Sequence, residues 1–422
     1  MNLTCSRSAR LLAFMALASI PTSISACSSP PPAPGEFAFV EVTLGSEPSR
    51  VTTLRFIPGT RELLIARITG EVEHHRLDDD GESTTLLGSF TVPHVFDRLD
   101  CGLVSLAFDP DFATNHMFFV GHCTDAWHSG IGRLTWNTQD DDDDDDDHRV
   151  DYEAVHASYV SIIELGDERA TQPWHNVGAI FFDPDDASMY ALFGDKTIDD
   201  NAQDVTSPLG GIVHLVPSHA PGLGGYEPPA SPAFSTQGAD PIRHTLGFRS
   251  PWTGFMDDAG RIFVGDVGSG SVEEVNVVPT GGRNFGWPEA EGPCACDTFE
   301  DPIRHWGRSE SHPYVRADPD AVLGWARVVW TARASRSGVP DRYQGLLDDA
   351  VLYGDMCVGF VRRMKVDQTG MVTEDEPVGH LANATGWDVG PDGYVYAVTF
   401  SDRCTTSPGA SYGRAQLYRL ER

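Results

Sequence analysis

Five short segments of the 422-residue sequence gather side chains able to move protons, hold charge or bind a cation. They are Trp174-His175-Asn176-Val177-Gly178, the later dipeptide Gly194-Asp195, Gly247-Phe248-Arg249-Ser250-Pro251-Trp252, Gly265-Asp266-Val267-Gly268 with Glu273-Glu274-Val275-Asn276, and Gly281-Gly282-Arg283-Asn284-Phe285-Gly286-Trp287-Pro288. A histidine, with a pKa of about 6.5, is largely neutral at mild pH and can accept a proton. Each residue also has a structural reading. His175 either takes a catalytic or ligand role or hydrogen-bonds to a neighbouring loop. Arg249 either faces a ligand or pairs with Asp266 or Asp195. Glu273 and Glu274 tie loops together, hold a structural calcium or touch substrate, while Trp252 and Trp287 fill the core or stack on a sugar. The remaining histidines, including His74-His75 on opposite faces of an expected strand, read as surface or packing residues.

Common enzyme signatures are missing. The sequence has no Gly-rich loop ending in Lys-Ser/Thr, no HExxH pair and no nucleophile elbow. Gly265-Asp-Val-Gly-Ser-Gly270 falls between expected strands, with no helix to present a dipole to a dinucleotide.

The elements that must carry these residues repeat. Leu54 to Ala66, Leu103 to Val120, Ala179 to Leu192, Gly254 to Val264 and Trp387 to Val398 each read as an apolar alternation, an Asp/Pro/Gly tip and a second β-rich run. The tip supplies hairpin-turn geometry and the alternation supplies strands with one buried face. Val351 to Asp355 with Val361 to Met364 is a sixth, less regular unit. The spacing leaves room for two more strands per copy, so the expectation is an all-β, six-bladed β-propeller of four-stranded antiparallel blades, which hides its edges by radial repetition. Asp140 to Asp147 is a run of eight aspartates that repel one another; within 140–151 it reads as a solvated loop, with weak cation attraction as its functional alternative.

With 30 Lys+Arg against 62 Asp+Glu the net charge is -32, and the basic stripe that phosphates require is missing, so no nucleic-acid partner is expected. Residues 1–26 carry Arg7 and Arg10, an apolar run too short for a bilayer that needs about 20 residues, and Ile24-Ser25-Ala26 before Cys27. They read as a lipoprotein signal peptide. Residues 27–38 then form a lipidated Cys27 and a Pro-rich tether, with 39–422 the propeller, and membrane contact runs only through the lipid on Cys27. The expected location is the cell envelope and the expected state a monomer. Once Cys5 is removed with the signal and Cys27 is lipidated, six cysteines remain, and three disulfides are expected. Cys101 with Cys123 is the favoured pair, because a strand, a turn and a strand lie between them.

On these residues the chain resembles the soluble pyrroloquinoline-quinone (PQQ)-dependent glucose/sorbosone dehydrogenase family, which shares its six-bladed propeller with Hedgehog-interacting-protein-like proteins. Gly102 to Phe112, the His175 segment, Gly247 to Pro251, Glu273 to Pro288 and Tyr353-Gly354-Asp355 carry the resemblance over roughly residues 40–420. It implies a quinone over the central channel, a calcium ion on its reactive carbonyl, and His175 as the base that takes a sugar hydroxyl proton. It also implies Arg249 beside the cofactor, stabilising its reduced form, with Ser250, Asn383 and Thr385 around it. The same resemblance puts Gly268 and Ser269 carbonyls on calcium, near Asp266, Glu273 and Glu274.

The sequence departs from the family in three places. Ser250 replaces an asparagine, Asn383 to Asp388 lacks a pair of arginines, and Asp355-Met356-Cys357-Val358-Gly359 lacks a lysine. A tricarboxylate cofactor left with one arginine is poorly neutralised. Two functions follow: an exported PQQ- and calcium-dependent oxidoreductase acting on an aldose or related sugar alcohol, or a non-catalytic, calcium-bearing propeller that binds a glycan or protein.

Overall fold

The structure, a computed structural model, describes residues 36–139, 149–294, 296–307, 328–401 and 413–422. The signal peptide, Cys27 with most of its tether, the Asp140–Asp147 run and Cys404 lie outside the described residues.

Six four-stranded antiparallel sheets follow one another as blades. Blade 1 is Val51–Phe56, Glu62–Arg67, Glu71–Leu77 and Thr84–Thr91, and blade 2 is Leu103–Phe108, Met117–Cys123, His128–Thr135 and Val160–Gly166. Blade 3 is Val177–Phe182, Met189–Phe193, Gly211–Pro217 and Tyr226–Glu227; blade 4 is Pro251–Met256, Ile262–Asp266, Val272–Val278 and Arg304–Gly307. Blade 5 is Val329–Arg333, Ala350–Asp355, Phe360–Val366 and Val372–His380. Blade 6 joins Ala384–Val389, Val395–Thr399 and Leu417–Glu421 to Ala38–Val42, so a strand from the start of the chain closes the ring beside the last. The six-bladed propeller is as expected, and its sixth blade already begins at Ala38, within the stretch read as tether.

The repeated tips have a physical basis. The side chains of Asp109, Asp183, Asp257 and Asp392 each accept the N–H two residues on, from Asp111, Asp185, Ala259 and Tyr394. Such Asx turns let one side chain stand in for a backbone turn bond. Blade 1 turns instead at Pro58-Gly59-Thr60, where the Thr60 hydroxyl accepts the Glu62 N–H, and blade 5 differs more. Val351 to Met364 forms its second and third strands, while its innermost strand, Val329–Arg333, is joined to the second through the long connection 334–349, whose Asx turn at Asp341 lies well away from the end of that strand.

Apolar packing lies between neighbouring blades. Val177, Ile180 and Phe193 meet Phe119, Ile131 and Ile163 at one seam, and Trp330 stacks on Trp387 at 4.2 Å at another. Hydroxyls near the start of the innermost strands add a polar stitch. Thr52 donates to the Leu103 carbonyl at 2.7 Å, Ser105 accepts from the Ile180 N–H at 3.1 Å, Thr253 accepts from the Thr331 N–H at 2.8 Å, and Thr385 donates to the Val51 carbonyl at 2.9 Å. Each satisfies a backbone group that a seam would otherwise leave buried and unpaired.

Cys101 and Cys123 form the expected disulfide. Cys294 bonds Cys296, and Cys357 is also disulfide-bonded. His74 and His75 are both buried packing residues; His74 meets Trp136 edge-on at 4.9 Å, and His75 is held by Thr84 and Glu73.

Candidate active site at one mouth of the channel

The innermost strands all run the same way through the centre, so residues just before them gather at one mouth. His175 lies two positions before Val177, and Asp195 two positions after Phe193, the partner of Val177 in the hairpin. The open end of that hairpin therefore puts the two side chains face to face. His175 Nδ1 donates to Asp195 Oδ1 at 2.6 Å, and both residues are buried. Asp195 Oδ1 also accepts the Thr197 N–H at 2.7 Å, while its Oδ2 accepts the Trp287 indole N–H at 2.8 Å. A carboxylate fixed by three donors holds the imidazole in one tautomer, with Nδ1 protonated and Nε2 able to accept a proton. His175 adopts a left-handed φ of 54°, and a Cβ on Gly194 would run into its carbonyl, which is why glycine precedes Asp195.

The next residues form a second bridge. Lys196 Nζ donates to Asn176 Oδ1 at 2.7 Å, and Asn176 Nδ2 donates to the Pro173 carbonyl at 3.0 Å. Lys196 is one of two lysines in the sequence and is only 1% exposed. Burial lowers its ammonium to about 7, with Asp125 opposing. His175-Asn176 is thus clamped residue by residue onto Asp195-Lys196.

Blade 4 repeats the geometry with other partners. Asp266 ends its second strand, and its carboxylate accepts the N–H groups of Arg249 at 3.0 Å and Ser250 at 2.7 Å. Burial, then repulsion from Glu274, raises the Asp266 carboxyl well above the ordinary range. The Arg249 side chain turns away from both aspartates considered as its partners. Its Nη1 donates to the Val267 carbonyl at 3.0 Å and the Gly268 carbonyl at 2.9 Å, and the guanidinium lies 5.5 Å from the Trp287 ring centre.

The other residues named for a metal are engaged separately. The N–H groups of Ser269, Gly270, Ser271 and Val272 converge on Glu291 Oε1 at 2.7 to 3.3 Å. Burial raises the Glu291 carboxyl, and those four donors together bring it below its usual range. Glu273 is fully buried and accepts the Val329 N–H; Glu274 accepts from Gly292 N–H and Asn276 Nδ2. No three His, Cys, Asp or Glu side chains group as metal ligands among the described residues.

A cavity of about 100 Å³ opens beside His175, lined also by Thr52, Asp100, Asn176, Ser250, Trp252 and Thr385. Ser250 and Thr385, both named for cofactor binding, thus reach one cavity, although the Thr385 hydroxyl is bonded to the seam with blade 1. Asn383 stands behind that wall in a left-handed conformation, its N–H donated to Met356 and its carbonyl accepting from Phe400. Among the described residues no arginine or lysine lines this cavity. Asp195 as the partner of His175, and Lys196, are additions to the residues named from sequence. Asp199, near Asp195, His175 and Arg249, is a third, its carboxyl raised by desolvation and then by Asp195.

The family model for glucose/sorbosone dehydrogenases matches residues 48–405. Aldose sugar dehydrogenase YliI of Escherichia coli is 26% identical over 82% of this chain and 86% of its own length. Quinoprotein glucose dehydrogenase B of Acinetobacter calcoaceticus is 25% identical over 67% of this chain and 61% of its own, whereas the match to HIPL1 protein of Arabidopsis thaliana, at 28% identity, spans only 33% of that protein. Among solved structures, the PQQ-bound aldose sugar dehydrogenase of Streptomyces coelicolor superposes with a TM-score of 0.65 at 20% identity, covering 92% of this chain and 99% of that one. The apo aldose sugar dehydrogenase of Escherichia coli does so with a TM-score of 0.67 at 19% identity, over 91% and 99%. With a family model spanning most of the sequence and a propeller that carries its landmark segments to one mouth, the chain belongs to the glucose/sorbosone dehydrogenase family.

Proposed function

We propose that the chain is a sugar-dehydrogenase-type oxidoreductase in which His175 removes the hydroxyl proton of an aldose or related sugar alcohol. The observation that carries this reading is the buried His175–Asp195 pair, which commits Nδ1 to the carboxylate while His175 lines the cavity. Oxidising an alcohol carbon releases one proton from oxygen and one hydride, a proton with two electrons, from carbon; the part assigned to His175 is the oxygen-bound proton alone. The leader-like residues 1–26 and Cys27 support export with a lipid anchor in the cell envelope.

Relatives named as quinoproteins, or solved with PQQ bound, make PQQ the first electron acceptor to test. The described residues do not fit its three carboxylates: Asp100 lines the cavity, and the nearby Arg249 has one nitrogen committed to backbone carbonyls. That mismatch favours the second reading, a propeller that holds a neutral glycan at this mouth without turning it over. Titration of the purified protein with PQQ, with and without calcium, followed by dye reduction with a panel of aldoses, separates the two. Sugar-dependent turnover that His175→Ala abolishes supports the oxidoreductase. Sugar binding without PQQ binding or turnover supports the binding propeller.

A further inference from the structure

The Arg249 guanidinium reaches a carbonyl that the family resemblance gives to a metal. The resemblance puts the Gly268 and Ser269 carbonyls on calcium, yet here the Gly268 oxygen accepts from the Arg249 guanidinium, as does the Val267 oxygen one residue earlier. Two carbonyl dipoles converging on a guanidinium nitrogen are already paired with a positive charge, and a calcium ion there would meet that charge at close range.

A calcium shell takes six to eight oxygens, and among the described residues the nearby carboxylates are already engaged by N–H donors. Both Asp266 oxygens accept N–H groups from Arg249 and Ser250. Glu291 has drawn the N–H groups of 269–272 onto one of its own oxygens, fixing the turn that carries the carbonyls. Glu274 is held by Gly292 and Asn276. Meanwhile Arg249 Nε and Nη2 make no hydrogen bond to the described residues, which leaves three N–H donors for a ligand oxygen.

We propose that the Arg249 guanidinium replaces the divalent cation at this mouth, so that a carbonyl or carboxylate oxygen of the ligand is received by fixed N–H donors and no metal is required. The inference stands whether the site oxidises a sugar or only binds one, because it concerns the charge that meets the ligand oxygen.

Terbium is the probe, since it follows calcium's ligand preferences and emits when a nearby indole is excited; Trp287 lies under Arg249 and serves as the antenna. Titrating terbium into the chelator-treated full chain, with Trp287→Phe subtracted in each background, isolates emission from this position. Arg249→Ala removes the guanidinium from both carbonyls and is expected to raise that emission about tenfold or more over wild type. Equal or weaker emission from the variant overturns the proposal, as does wild-type emission at this position that calcium competes away. If Trp287→Phe does not fold, the calcium-dependent rise in melting temperature of the wild type and Arg249→Ala carries the same comparison. A larger rise in the variant is expected, and an equal or smaller one overturns the proposal.

Discussion

The two ends of the central channel are built from the same six strands and are chemically opposite. At the His175 mouth the cavity is small, about 100 Å³, and its titratable walls are a histidine and Asp100. At the other mouth it widens to about 430 Å³ and is lined by Arg55, Arg333 and Arg336 with Asp109 and Asp388, among Phe108, Phe182, Phe255 and Trp387. Thr52, Val104, Trp252 and Thr385 line both. The difference follows from strand direction. Residues before an innermost strand, such as His175 and Arg249, collect at one mouth, and residues at its end, such as Arg333, collect at the other. Arginines that could stand in for missing cofactor clamps are therefore present in the right strands and at the wrong end.

Two buried-side aspartates put that contrast under the strongest strain. Asp195 holds His175, Trp287 and the Thr197 N–H, whereas Asp388 at the far mouth accepts the Phe56 and Val389 N–H groups at 2.8 and 2.9 Å. In whatever assay shows sugar-dependent turnover, Asp195→Asn should lower it by about 10²–10⁴-fold, because an amide in that place no longer fixes the imidazole tautomer. Asp388→Asn should leave turnover within about twofold and cost roughly 1–3 kcal/mol in stability through its backbone partners. Equal losses of turnover from the two substitutions would remove the distinction between the mouths. Denaturant unfolding of both variants separates stability from activity.

Much of this arrangement was legible in the sequence, for reasons tied to particular residues. The Asp/Pro/Gly tips marked five blades, and in four of them the tip aspartate supplies the turn bond itself. The innermost strand of blade 5 escaped because the long connection 334–349, and not a short tip, joins it to the next strand. His175 and Arg249 stood out by their motifs, but the partner of each depended on hairpin register. Val177 pairs with Phe193, and Pro251 pairs with Asp266. Reading Gly194-Asp195 as the residues that follow the second strand, across from those preceding the first, would have joined Asp195 to His175. The destination of the Arg249 side chain was not legible, since nothing in its neighbours' identities separates a carboxylate partner from two backbone carbonyls.

Lys196 sharpens the comparison from inside the His175 mouth. Its ammonium titrates at about 7 in the folded chain, against 10.5 when unfolded. Between those values the unfolded chain binds the extra proton, so this group makes stability rise as pH rises from about 7 towards 10.5 and adds no slope below 7. The full swing is about 5 kcal/mol. Lys196→Met, which keeps the stem and removes the charge, should flatten that rise while also loosening Asn176. Urea unfolding of both proteins across this range reads the difference in slope; parallel profiles would show that Lys196 is not buried as a cation. No comparable effect is expected from Arg336→Met at the exposed rim of the other mouth.

The smallest effect belongs to Arg333. Its guanidinium pairs with Asp258 at 2.8 Å, donates to the Met256 carbonyl and lies 5.9 Å from the Phe255 ring centre. The Asp258 side chain is 66% exposed, so the pair is screened and contributes about 0–1 kcal/mol. Arg333→Gln keeps a donor for the carbonyl and removes the charge. It should leave turnover within about twofold and stability within about 1 kcal/mol. The informative result would be a large one. If Arg333→Gln weakened ligand binding at the His175 mouth as strongly as Arg249→Ala, the two cavities would be acting as one electrostatic site. The shared walls of Thr52, Val104, Trp252 and Thr385 would then transmit the charge of the far mouth through the channel.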